Sequence, residues 1–189
     1  MAEKEHSPIE DAFLDLTASL FTQAYTCADH FEQKCGRSVT PEQFAQIVRE
    51  FIFLFMHFID RYSFDMYGED RRCRILDSLA SLLNDLLQED WRKFKATDHI
   101  GNNMAAVRGI DSAMLSARNA EYAQIPSSQT TEESEEASKK FAVAFSAHLS
   151  QTIRGIRLDL TYTDLAMDLL NNSLDALNLE ENLAQFKNA

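Results

Sequence analysis

Glycine and proline are scarce in this chain, five and three among 189 residues. So few glycines cannot build a nucleotide cradle, and neither a Gly-rich phosphate loop nor a G-x-S-x-G elbow occurs. Cysteine appears only at 27, 35 and 73. The odd count and the lack of any C-x-x-C pair argue against a redox or zinc motif. The cysteines fall within helical patterns, so three buried, reduced thiols are expected. Positive charge is also short: 18 basic residues face 30 acidic ones, for a net charge of −12. Without a dense basic face to neutralise phosphates, nucleic acid is excluded as a partner, and an anionic membrane surface is disfavoured on the same ground.

Long apolar runs are missing too. The longest, Phe51 to Met56, is interrupted by His57 and flanked by Arg49-Glu50 and Asp60-Arg61. It is too short to span a bilayer. The N-terminal stretch Met1 to His6 is polar, with no apolar run that could serve as a signal peptide. These features point to a soluble, cytoplasmic protein without membrane contact. No segment alternates apolar and polar residues with β-branched enrichment, so no sheet is expected.

What the chain does have is phenylalanine, thirteen against a single tryptophan, within a 45% hydrophobic composition. That supports a Phe-rich packed core in one domain spanning 1–189. The segment from Thr40 to Gly68 carries most of the information. Thr40-Pro41-Glu42-Gln43 is a capping box with proline at the first helical position. Gly68 suits the left-handed turn beyond a helix end. Between them no glycine or proline intervenes, so a helix over about 41–67 is expected, roughly 40 Å long at about 1.5 Å per residue. The predicted fold is an all-α, single-domain bundle of about six helices with this long helix at its centre.

The other helices follow from 3.6-residue periodicity and from punctuation. The first runs from about Pro8 to Cys35, capped by Ser7 with Glu10. The third runs from about Glu69 to Gln88, or as far as Phe94. A loop through Thr97, Asp98, Gly101, Asn102 and Asn103 precedes the fourth, about Met104 to Gln124, with Gly109 as a candidate break and Asp111 as a fresh cap. A polar linker at about 126–131 leads to a capping box of Thr130 and Glu133. The fifth helix then runs to about Arg154 and the sixth from about Thr163 to Leu177. Leu179, Leu183 and Phe186 suggest a tail that packs down on the bundle.

On a helical wheel, the central helix has a polar arc holding Glu50, His57, Asp60 and Arg61. Two aromatics, Phe53 and Phe64, fall inside that arc. Exposed together they would form an apolar patch with a charged rim that includes Arg61, which is the anatomy of an interface. The first functional reading is therefore a non-enzymatic bundle that works by protein–protein contact, with itself as a homodimer or with another protein.

The second reading is a metal- or small-ligand-binding bundle. His57 and Asp60 lie three apart on one face, as paired ligands in metal-binding bundles do, and Glu50 lies two turns earlier. Glu121 and His148 on neighbouring helices could complete the set, and imidazole with carboxylate suits iron, manganese or zinc. Against it, di-iron bundles carry Glu-x-x-His twice, whereas this chain carries His-x-x-Asp once. A core-edge His148 bonded to a carbonyl or carboxylate is the plainer expectation for that residue. With Glu50 and Asp60 near His57, its pKa is expected to rise. No catalytic residue, substrate or reaction follows from the sequence.

Overall fold

The computed structural model describes residues 7–35, 39–88, 112–125, 131–152 and 160–188. Within them lie α1 (Pro8–Cys35), α2 (Pro41–Tyr67), α3 (Glu69–Gln88), α4 (Ser112–Tyr122), α5 (Thr131–Thr152), α6 (Leu160–Leu177) and α7 (Leu179–Ala184), then a 3-10 turn over Gln185–Asn188. No strand occurs among the described residues, and no helix there is long and apolar enough to cross a membrane. The architecture is an all-α bundle of about six helices, as the periodicity predicts.

Local chemistry sets the ends of α1 and α2. Ser7 and Glu10 bond reciprocally, the Ser7 N–H to Glu10 Oε2 at 2.7 Å and the Glu10 N–H to Ser7 Oγ at 3.2 Å. Thr40 and Gln43 do the same at 2.9 and 3.2 Å, with Pro41 opening the helix. Each box satisfies two backbone donors that the first turn leaves orphaned. At the far end Gly68 has φ +74°, a conformation that L side chains rarely adopt, and its N–H closes α2 on the Phe64 carbonyl at 2.8 Å.

α2 is the axis of the bundle. Every residue from Glu50 to His57 is buried, on all sides of the helix. A helix buried all round must be wrapped by others. α1, α3, α4, α5 and α7 all pack on it, while α6 bridges α1 and α5. The tail folds back as expected: Leu183 and Phe186 are fully buried, and the Phe186 ring stacks on Phe13 at 4.2 Å. Tyr67 donates its hydroxyl proton to the Leu183 carbonyl and Arg71 bonds the Lys187 carbonyl at 2.6 Å, tying the tail to the corner between α2 and α3.

Several expectations need correction or fall elsewhere. α6 begins at Leu160, ahead of the expected Thr163; no glycine or proline between them stops the helix. Cys73 is exposed rather than buried. It follows Arg72 near the start of α3, on the helix face turned away from Ile75, Leu79 and Leu83. Cys27 is buried as expected. The loop at 97–103, the start of the fourth helix with Gly109 and Asp111, the extension of the third to Phe94 and the linker at 126–130 lie outside the described residues.

Candidate functional site: a buried polar junction on the central helix

The polar arc of α2 faces neighbouring helices rather than water. Glu50 and His57 are buried, and so is Phe53, with no exposed surface. The expected patch of Phe53 beside Phe64 therefore does not form: Phe53 is a core residue, while Phe64 is half exposed. The reason is the length of α2. Its middle is enclosed by the helices around it, whereas Phe64 in its last turns is left at the surface.

Glu50 meets Arg118 of α4 in a two-pronged pair, Nε to Oε2 and Nη2 to Oε1, both at 2.8 Å. The Glu50 side chain is only 6% exposed. A bidentate guanidinium–carboxylate pair is the strong form of this contact, and burial makes it strict about geometry. The hydrogen bond and charge of Glu50 push Arg118 further up, against burial. Arg118 thus pairs across the bundle with Glu50, not with its own helix neighbour Glu121.

Glu121 is half in solvent and reaches His148 of α5, Oε2 to Nε2 at 3.0 Å. His148 itself is 5% exposed. Burial and Arg118 lower its pKa, while Glu50 and Glu121 oppose them. One turn on from Arg118, Tyr122 is fully buried. Its ring lies between His57, at 5.4 Å, and His148, at 6.1 Å.

His57 occupies an aromatic box. Phe58, Phe141 and Tyr122 lie 5.9, 5.5 and 5.4 Å from its ring centre. It is 1% exposed, and neither ring nitrogen has a hydrogen-bond partner; the Tyr122 hydroxyl has none either. Such orphaned groups are rare in protein interiors and costly. Burial first, and Arg61 second, lower the His57 pKa from 6.5 to about 4. The expected rise is thus reversed. Glu50 is committed to Arg118, and Asp60 meets Arg72 at 2.8 Å instead. No carboxylate remains to favour a charged imidazole, so desolvation wins.

The proposed metal ligands are accordingly dispersed. Glu50 and Asp60 face different arginines, His57 sits among aromatic rings, and Glu121 with His148 forms a separate pair. Among the described residues no three His, Cys, Asp or Glu groups converge to hold a metal ion. His57 and Asp60 do sit three apart on one helix, but the neighbouring arginines claim the carboxylates. Glu50, His57, Asp60, Glu121 and His148 do not come together as a ligand set for iron, manganese or zinc.

Arg61 turns to the backbone, bonding the Ile125 carbonyl at 3.5 Å. Arg72 sits over the Phe64 ring, 6.0 Å from its centre, and also meets Glu69 at 2.9 Å. Sequence reasoning passed over Tyr122, which joins α2, α4 and α5. The spacing of Arg118, Glu121 and Tyr122 on one short helix is a signal, but only if their partners on other helices are known. A groove of about 600 Å³ runs beside the junction, with Glu121, Ile125, Lys139 and Val143 on its walls; His57 does not reach it. No protein family, curated protein or solved structure matches this chain.

Proposed function

We propose that this chain is a non-enzymatic, cytoplasmic helical module that works by protein–protein contact and self-associates. The supporting observation is the C-terminal tip of α2. It carries Tyr62, Phe64 and Met66 to the surface, 45%, 50% and 37% exposed. Tyr62 and Met66 share one side of the helix, and Phe64 lies on the other, beside Arg61 and under Arg72. Exposed apolar area edged by arginine is the composition of interfaces.

Charge favours the same place. From Asp60 to Arg74 four acids and four arginines balance, in a chain whose net charge is −12. Two copies of an acidic chain repel one another least where the local charge is neutral. Light scattering on the full chain at tens of micromolar tests the reading. A dimer mass is expected, strengthening as salt rises to about 0.15 M and screens the overall repulsion. Phe64→Asp should give a monomer with unchanged helicity. A wild-type monomer under all these conditions refutes self-association. Phe53→Asp, by contrast, places a carboxylate in the core and should unfold the protein.

A further inference from the structure

α4 is held to the bundle differently from its neighbours. Among its described side chains only Tyr122 is fully buried, while Leu115, Arg118 and Asn119 are half-buried. α1, for comparison, buries Leu16, Leu20, Phe21, Ala24 and Phe31. Among the described residues, α4 and the turn that follows dock through a small apolar set, Tyr122, Ile125 and the half-buried Leu115, and through polar contacts: the Glu50–Arg118 pair, the Glu121–His148 contact and the bond from Arg61 to the Ile125 carbonyl. Segments with few buried apolar contacts open at lower free energy than the core.

Beneath Tyr122 lies His57. Among the described residues, charged and titratable groups reach this point from three helices. α2 brings Glu50, Asp60 and Arg61; α4 brings Arg118, Glu121 and Tyr122; α5 brings His148. Both arginines repel an added proton on His57 or on the groups beside it. Glu50 and Asp60 are already matched, by Arg118 and Arg72, and Glu121, half in solvent, lies against the His148 imidazole rather than His57. A protonated His57 would be a cation without a counter-ion, walled by Phe58, Tyr122 and Phe141. Water is the remaining source of stabilisation, and Tyr122 stands in its way.

We propose that α4 is an acid-released latch: protonation of His57 undocks residues 112–125 from α2 while the remaining helices stay packed, uncovering Glu50 and His57. Release is linked to uptake of one proton. Between the closed-state value of about 4 and the ordinary 6.5, opening grows by up to tenfold per pH unit. From about pH 7.5 to about pH 5 the opening equilibrium should therefore rise about 30-fold, the proton-linkage factor for a single site. The α4 contacts described above do not include the exposed Tyr62, Phe64 and Met66 of the α2 tip, so the latch is read by exchange independently of self-association.

Hydrogen–deuterium exchange of the full chain, corrected for the intrinsic pH dependence of exchange, reads this directly. Peptides from 112–125 should lose about 30-fold of their protection over that range, a linkage-sized change, while peptides from 44–59 keep theirs. His57→Leu should abolish the response and His148→Gln should preserve it. Protection of 112–125 that ignores pH, or a loss shared equally by α2, overturns the proposal. So does a response that vanishes in His148→Gln. Should His57→Leu fail to fold, histidine ring NMR on the wild type decides. Titration of His57 in step with α4 exchange supports the latch, and titration near 6.5 without α4 exchange refutes it.

Discussion

Removing Arg118 should cost far more than its position at the edge of a short helix suggests. In Arg118→Met the Glu50 carboxylate, 6% exposed, loses both N–H donors at 2.8 Å. Breaking one side of a buried pair costs about 3–5 kcal/mol, because the remaining charge is left uncompensated. Domains of ordinary stability have about 5–15 kcal/mol in total, so the loss would be a large share of it. Glu50→Gln should be milder, about 2 kcal/mol, because the Arg118 side chain is 17% exposed and can turn toward water. The double variant Glu50→Leu/Arg118→Met removes both charges and keeps much of the volume. It should return to within about 1.5 kcal/mol of wild type, as replaced buried pairs do. Urea unfolding with linear extrapolation measures all four proteins, and the cycle should show coupling of about 2 kcal/mol or more. The reasoning is refuted if Arg118→Met costs no more than a surface change, about 0.5 kcal/mol. It is equally refuted if the double variant is as unstable as the worse single one.

Two further outcomes follow from buried titratable groups. The folded pKa of His57, about 4, lies below its ordinary 6.5, so the unfolded chain takes up the proton first. The resulting stabilisation of ~3 kcal/mol is fully present above pH 6.5 and is lost as pH falls toward 4. Thermal melts at about pH 8 and about pH 5 should show a steeper acid loss for wild type than for His57→Gln, by ~2 kcal/mol; identical slopes contradict the burial argument. Cys27 shares a 2.7 Å contact with Ser173, whose hydroxyl donates to the Leu169 carbonyl, and burial pushes the thiol up to about 11. Iodoacetamide at about pH 8 should therefore modify exposed Cys73 and spare Cys27 until denaturant is added; equal labelling in the native protein would contradict this.

Much of the fold was legible because its determinants are local. The boxes at Ser7–Glu10 and Thr40–Gln43, the proline at 41 and the glycine at 68 act within four residues of a helix end, so the spans of α1 and α2 could be read directly. Their apolar stripes then named most of the core, Leu16, Leu20 and Phe31 on one helix and Phe44, Phe51 and Phe55 on the other. The candidate site was legible only as a set of residues. A helical wheel gives directions around one axis and is silent on what covers each direction. It put Phe53, His57 and Phe64 on one arc, but the surrounding helices bury the first two and leave the third at the surface. Which carboxylate meets which arginine is likewise a long-range matter: Glu50 and Arg118 are 68 positions apart, and once they pair, no charge remains to hold a proton on His57. Periodicity determined the helices and most of their inward faces; the packing of α4 against α2 decided which polar groups met and which were left without a partner, because desolvation and pairing depend on neighbours distant in the chain.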